Sequence, residues 1–205
     1  MKIVRIEPSK HKKGRILVFL QDDTLLKVTE NEVLIFGLHS GLDLAEDTVQ
    51  ALKGAAEASD LRQTAAAMTA RRMLSGQEVR RRLIKKGAEE SEAEDTVQWL
   101  QELGAVDDAA YAAVLGRHYG AMGCGPGRVR QELQKRGIPR ELWDEALSQL
   151  PPAEEAIRQY ISAKWRPGDE RMGKKIADAL LRRGFSWNDI RPILREWEQD
   201  EDEIL

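Results

Sequence analysis

Residues 125–138 read GPGRVRQELQKRGI, and this stretch has the marks of one amphipathic helix with a defined start and end. Pro126 suits the first turn of a helix, where its missing amide hydrogen costs nothing. Val129 and Leu133 are four residues apart and so lie on one helical face. Gly137 suits the left-handed position that often follows a helix. The stretch therefore predicts a short helix with one apolar face and with arginine and lysine on its other faces.

The same pattern occurs twice more in the chain. Residues 78–87 (EVRRRLIKKG) and 175–184 (KIADALLRRG) align with residues 128–137 without gaps, and the final glycines are 50 and 47 residues apart. An amphipathic helix follows each segment, and a helix is also expected before each one, at about 60–74, 108–120 and 153–165. The repeating unit is therefore three helices, and the chain is predicted to hold three units.

Apolar residues recur at matching positions of the three units and are assigned to the core. In the middle helices they are Val79 and Leu83, Val129 and Leu133, and Ile176 and Leu180. In the third helices they are Trp99, Leu100 and Leu103, then Ala146, Leu147 and Leu150, and finally Ile193, Leu194 and Trp197. A unit of this length buries little surface alone, so the units are expected to stack into an elongated, curved array.

The first third of the chain has a different pattern. Short β-rich runs at 3–6, 15–20 and 24–29 are separated by turn residues and predict two or three antiparallel strands, while 31–36 fits a strand or a short helix equally well. The predicted fold is mainly α, with three tandem three-helix repeats after a small antiparallel β region. The expected boundaries are 1–56 for the β-rich region with a linker helix, then 57–104, 105–150 and 151–205 for the repeats.

Composition limits the class of protein. The chain has 205 residues, 41% of them apolar, and a net charge of −3, so any basic surface must be local. A single cysteine, Cys124, allows no disulfide within the chain, which fits a reducing compartment. The N-terminal stretch has no apolar signal-peptide core, and no run approaches the length of a membrane helix. A cytoplasmic protein without a membrane partner is expected, and it is expected to be a monomer.

Charge is distributed by helix. Residues 78–86 carry five basic residues against one acidic, whereas 89–102 carry six acidic residues and no basic one. Cations near a helix C-terminus are explained by the helix dipole, but those in first turns are not. Two interpretations of these first-turn cations fit the sequence equally well. They form a solvated face, or they form a surface that binds a nucleic acid backbone or an acidic protein. The candidate partner-binding residues are Arg80, Arg81, Arg82, Lys85, Lys86, Arg128, Arg130, Lys135, Arg136, Lys174, Lys175, Arg182 and Arg183.

Residues that would carry catalysis are scattered. His11, His39 and His118 have no partner at metal-ligand spacing, and Cys124 has no adjacent base. The glycine-rich stretch 120–127 lacks the lysine and serine or threonine of a phosphate loop. We therefore expect no enzyme activity, no metal and no cofactor. Acidic third helices also argue against helix-turn-helix insertion into the major groove of DNA.

Three motifs together resemble the signatures of the RecX family. They are residues 105–112 (AVDDAAYA), residues 125–138 quoted above, and residues 73–87, in which Met73, Leu74, Ser75, Glu78, Val79, Leu83, Lys86 and Gly87 match. The similarity spans about residues 60–200. The departures are small: Val129 for Ile, Arg136 for Lys, and Ala88 where an aromatic residue is common.

The resemblance implies a non-enzymatic modulator of the RecA recombinase. Such proteins bind the RecA filament on single-stranded DNA and limit its growth, ATPase and strand exchange, and some members bind DNA weakly. The matching signature positions are Asp107, Asp108, Tyr111, Ala112, Gly125, Pro126, Gly137 and Arg128. Most of them are expected to be structural, at the junction of the first and second repeats. The alternative is a DNA-binding protein that affects recombination and repair by occupying DNA.

Overall fold

The structure, a computed structural model, describes residues 1–166 and 171–202. Its β region has three strands, β1 (Ile3–Pro8), β2 (Ile16–Leu20) and β3 (Leu25–Val28). The α-helices that follow it are α1 (Glu30–Ile35), α2 (Glu46–Thr69), α3 (Gly76–Lys85), α4 (Glu90–Glu102), α5 (Asp108–Ala121), α6 (Pro126–Arg136), α7 (Trp143–Ser148), α8 (Ala153–Lys164), α9 (Met172–Arg182) and α10 (Trp187–Asp202). The mainly α fold with a small antiparallel β region is confirmed.

The three strands form one antiparallel sheet in the order β1-β2-β3. Val18 lies opposite Ile6 on one side and Leu26 on the other. Alternate residues of the strands, among them Val18 and Leu26, are buried in a core with Val49 and Leu52 of α2. One face of the sheet is therefore covered by a helix, as the period-two pattern requires.

The stretch 31–36, which fitted a strand or a helix, is helical. Thr29 and Glu32 form a capping box: the Thr29 amide donates to Glu32 Oε2 at 2.7 Å. This arrangement satisfies amides that have no partner inside the helix, and it selects α1 over a strand. The second carboxylate oxygen of the buried Glu32 accepts from Ser59 of α2 at 2.5 Å. The short helix is thereby attached to α2.

Helix α2 differs from the expected helix at 60–74, since it begins at Glu46 and ends at Thr69. Its second half is rich in alanine, which favours an unbroken helix. The chain then turns, and α3 starts at Gly76, where Ser75 Oγ accepts from the Glu78 amide at 3.0 Å. Because of this cap, α3 begins at Gly76, before Glu78, the first residue of the segment that the repeat pattern predicted as helical.

Each repeat has the expected three helices, with the third helix of the middle repeat formed by a short 3-10 turn, Arg140–Leu142, followed by α7. The predicted core residues of the middle helices are all buried. Gly87, Gly137 and Gly184 have φ of +100°, +71° and +89°, so the predicted left-handed caps are confirmed. One core assignment is wrong, because Leu103 lies at the end of α4 and is 62% exposed.

The chain forms two compact units. Unit 1 comprises residues 1–72 and 79–105, and unit 2 comprises residues 73–78 and those from Val106 onward. Unit 2 has two neighbouring cores. One lies around Leu133 and Ala146 in the second repeat, and the other lies around Ile161 and Leu180 in the third repeat.

Candidate partner-binding surface

Helix α3 carries four of the predicted binding residues, Lys86 follows its last residue, and Arg80 is engaged within the repeat. Arg80 forms ion pairs with Glu90 and Glu94 of α4, the latter at 3.1 Å from Nε to Oε2. Its side chain is 24% exposed. These contacts join α3 to α4. Arg80 therefore stabilises the first repeat, and a charge reversal there would set three carboxylates against one another.

A groove between the end of α2 and α3 collects four cations instead. Arg71, Arg72, Arg82 and Lys86 line a hollow of about 390 Å³, together with Thr64, Ala67 and Met68. We call this hollow the α2–α3 groove. No carboxylate lines it, and within the described part of the chain none of the four cations has an ion-pair partner. An anion in the groove would relieve the repulsion among them.

Arg71 and Arg72 were missed by sequence reasoning, because they lie outside the three aligned segments. A signal was nevertheless present, since residues 61–77 contain no acidic residue around this adjacent pair. Both arginines follow the end of α2, where the helix dipole favours cations. The fold then brings them to Arg82 and Lys86, which were predicted from the first aligned segment, 78–87.

In the second repeat, two predicted binding residues flank a buried carboxylate. Glu132 lies 3.1 Å from Arg128 and 2.7 Å from Arg136, and Arg136 Nε donates to Tyr111 Oη at 3.0 Å. Burial lowers the pKa of Arg136, but the hydrogen bond to Tyr111 and the charges of Tyr111 and Glu132 outweigh it, so that the pKa is raised overall. Burial raises the pKa of Tyr119, and the nearby charge of Glu132 raises it further. This network holds the repeat together.

In the third repeat, Arg183 is also used internally. One guanidinium nitrogen donates to the carbonyls of Met122 at 2.7 Å and Gly123 at 3.2 Å. The guanidinium carbon lies 4.8 Å from the ring centre of Tyr160. Arg183 thus fixes the loop after α5 to the end of α9. The other predicted cations lie at exposed positions: Arg81, Lys85, Arg130, Lys135, Lys174, Lys175 and Arg182.

The paired acids of the signature have separate structural tasks. Asp107 is the N-cap of α5, and its carboxylate accepts from the Ala110 amide at 2.8 Å. Asp108 accepts from the Gly76 amide at 3.0 Å and so meets the start of α3. Burial raises the pKa of Asp108 above its ordinary value of 3.8, and the neighbouring charges of Asp107 and Glu78 add to this effect against the Gly76 hydrogen bond.

Asp108→Asn is expected to stabilise the protein at pH 7 but not at pH 3. A carboxyl whose pKa is raised by folding binds more protons in the folded state, so the wild type loses stability as the pH rises from about 3.8 through the raised pKa. Asparagine keeps an acceptor for Gly76 and has no charge. The midpoints of thermal unfolding at both pH values test this, with Asp144→Asn, an exposed position in the same unit, as the control. An equal or lower midpoint for Asp108→Asn at pH 7 would contradict it.

Gly125 lies at the junction of the second and third repeats, not of the first and second as expected. Its amide donates to the Arg183 carbonyl at 2.8 Å, and the Gly127 amide donates to the Gly184 carbonyl at 2.9 Å. A Cβ on Gly125 would lie 2.7 Å from the Gly184 carbonyl oxygen. Gly125 and Gly127 are therefore explained by two backbones in direct contact.

Two features are absent from the residues that the structure describes. No helix among them is long and apolar enough to cross a membrane. No group of three or more His, Cys, Asp and Glu residues among them is placed to hold a metal ion.

Comparisons with known proteins agree with this architecture. Residues 107–147 match the family described as RecX, second three-helix domain. Regulatory protein RecX of Geobacillus kaustophilus is 31% identical over 191 residues, which cover 88% of this chain and 71% of that protein. Regulatory protein RecX of Xanthomonas axonopodis pv. citri is 33% identical over 138 residues, covering 65% of this chain and 85% of the relative.

Solved structures give the same result. A crystal structure of regulatory protein RecX superposes with a TM-score of 0.77 and 26% identity, over 94% of this chain and 98% of that one. RecX from Lactobacillus salivarius has a TM-score of 0.59 at 21% identity, over 69% of this chain and 97% of that one, and it supports the fold alone. The architecture defines a helical-repeat protein with a small N-terminal sheet. The chain belongs to the RecX family of regulatory proteins.

Proposed function

We propose that this protein is a negative regulator of the RecA recombinase. It binds the RecA filament on single-stranded DNA and limits filament growth, ATPase activity and strand exchange, without an enzyme activity of its own. Membership of the RecX family carries the proposal. The α2–α3 groove supports it, because a hollow lined by four cations and no carboxylate suits a negatively charged partner.

The proposed contact uses part of the predicted cationic set. Arg82 and Lys86 act with Arg71 and Arg72 in the α2–α3 groove. Arg80, Arg128, Arg136 and Arg183 are left out, because their charges are already paired or bonded inside the repeats. The partner is the filament, whose DNA and acidic protein surfaces both offer negative charge.

The direct test is the single-strand-dependent ATPase of RecA with this protein added well below the RecA concentration. A strong decrease, at a salt concentration where binding to naked DNA is negligible, is the expected result. It would indicate action on the filament itself. Full ATPase activity at equimolar protein would overturn the proposal.

Arg71→Glu/Arg72→Glu is expected to raise the concentration needed for half-inhibition by about tenfold. Two cations that face the partner become anions, and about 1.4 kcal/mol of lost binding corresponds to that factor. Lys10→Glu/Lys13→Glu makes the same charge change at exposed positions outside the groove and is expected to inhibit like the wild type. Circular dichroism checks that both variants fold. Equal inhibition by the two variants would remove the α2–α3 groove from the contact.

The alternative is a protein that affects recombination by occupying DNA, and the same four cations favour it. Phosphate neutralisation releases counterions, so such binding weakens steeply as salt rises. Fluorescence anisotropy of a labelled oligonucleotide between 50 and 200 mM salt, alongside the ATPase, separates the two functions. Tight, salt-sensitive DNA binding with an ATPase that recovers when DNA is in excess would support the alternative.

A further inference from the structure

A second groove lies in the third repeat, between α9 and α10. It has a volume of about 360 Å³, and its apolar lining includes Leu181, Trp187 and Leu194. Trp187 is 48% exposed and Leu181 is 45% exposed. We call this hollow the α9–α10 groove. Two large apolar side chains therefore share one hollow while remaining open to solvent.

Trp187 has no evident task in folding. It is absent from the core of the third repeat, where Trp165 and Trp197 pack against the buried residues. The start of α10 is capped by Ser186, whose Oγ accepts from the Asp189 amide at 3.2 Å. The Trp187 side chain is not needed for that cap. An exposed tryptophan in a hollow is the kind of residue that supplies most of the binding energy at protein interfaces.

The charged residues of the α9–α10 groove select the class of partner. Lys174, Arg191 and Arg195 line it, and so do Asp178 and Glu198. Within the described residues, none of these five has an ion pair inside the protein. A phosphate chain laid along the groove would meet two carboxylates, whereas a protein segment can offer charges of both signs. The mixed lining therefore favours a protein over a nucleic acid.

We propose that the α9–α10 groove docks a protein segment that inserts an apolar side chain against Trp187 and Leu181 and pairs its flanking charges with the groove. The inference rests on the proposed function, because the partner is a subunit of the RecA filament. The proposed function places a cationic contact in the first repeat, and this inference adds an apolar contact in the third repeat. Trp187, Arg191 and Arg195 lie along one side of α10, and Arg191 and Arg195 are placed to hold carboxylates beside the inserted side chain.

Trp187→Ala is the test, with Leu34→Ala as the matched control. Leu34 is 80% exposed in unit 1 and lies outside the α9–α10 groove. We measure half-inhibition of the single-strand-dependent ATPase of RecA and direct binding of each variant to preformed RecA filaments. Trp187→Ala is expected to weaken both by roughly tenfold to thirtyfold, the range of a central interface residue. Leu34→Ala is expected to behave as the wild type. Trp187→Phe keeps an aromatic ring and is expected to retain most of the binding.

The outcomes separate this inference from the proposed function. If the wild type neither binds filaments nor inhibits, the proposed function is wrong, and this inference falls with it. If the wild type inhibits and a folded Trp187→Ala variant inhibits equally, the docking groove alone is wrong. If Trp187→Ala weakens inhibition, fluorescence anisotropy with a labelled single-stranded oligonucleotide shows whether the groove binds a protein or a nucleic acid. Lost oligonucleotide binding by Trp187→Ala would show that the groove takes a nucleic acid base, which overturns a protein partner.

Discussion

Gly184→Ala is expected to destabilise unit 2 by about 3–5 kcal/mol, since backbone strain and steric overlap both oppose a side chain there. Gly184 has a φ of +89°, outside the region that residues with a Cβ readily adopt. A Cβ at this position would lie 2.2 Å from the Arg128 amide nitrogen and 3.0 Å from the Arg128 Cα. These atoms belong to the first turn of α6, so relief requires α6 and the end of α9 to separate.

Gly87→Ala provides the matched control. Gly87 occupies the same position of the first repeat, with φ +100°, but a Cβ there would meet nothing within 4 Å. The strained backbone alone should cost about 1–2 kcal/mol. Urea unfolding of the wild type and both variants, followed by circular dichroism, gives the free energies of unfolding. Equal losses for the two alanine variants would contradict a close contact between the backbones at Gly184.

The repeat architecture could be predicted because it depends on local pattern. Val129 and Leu133 lie on one face at helical spacing, and Gly137 follows the helix, so their positions predict the helix, its buried face and its end. The short helix α1 was undecided, because its cap depends on one contact between Thr29 and Glu32. The sequence pattern predicted that the helix before α3 would continue to residue 74, but α2 ends at Thr69. The residues between Thr69 and Ser75 are needed to turn the chain, so that Ser75 can cap α3.

The roles of the cations could not be predicted, because pairing depends on which elements meet. Arg80 and Arg82 are two residues apart in the same helix and look alike in the sequence. Arg80 faces Glu90 and Glu94 of α4, whereas Arg82 faces the groove that Arg71 and Arg72 line. A helix turns by about 200° over two residues, so Arg80 joins α3 to α4 and Arg82 points into the α2–α3 groove.

One matching position of the aligned middle helices is Arg82 in the first repeat, Glu132 in the second and Ala179 in the third. Glu132 is 7% exposed and lies between Arg128 and Arg136. Alanine at the matching position of α9 shows that this site in the helix does not require a charge. The requirement for Glu132 therefore comes from its two arginine partners.

Glu132→Ala is expected to cost about 2–3 kcal/mol of the free energy of unfolding. Removing one partner of a buried ion pair leaves the other uncompensated, which typically costs about 3–5 kcal/mol. The loss is smaller here, because the side chains of Arg128 and Arg136 are 42% and 24% exposed and keep part of their hydration. Alanine favours the helix, so a loss of this size cannot arise from helix propensity.

A double-mutant cycle separates the pairing from the packing. Arg128→Ala is expected to cost less than about 1 kcal/mol, because the Arg128 side chain is 42% exposed and Glu132 keeps its ion pair with Arg136. Glu132→Ala/Arg136→Ala should lose less than the sum of its single variants, since no unpaired charge remains beside Tyr111. Urea unfolding of the four proteins gives the coupling energy. A Glu132→Ala loss below about 1 kcal/mol, or strict additivity with Arg136→Ala, would mean that the network contributes packing and not charge pairing.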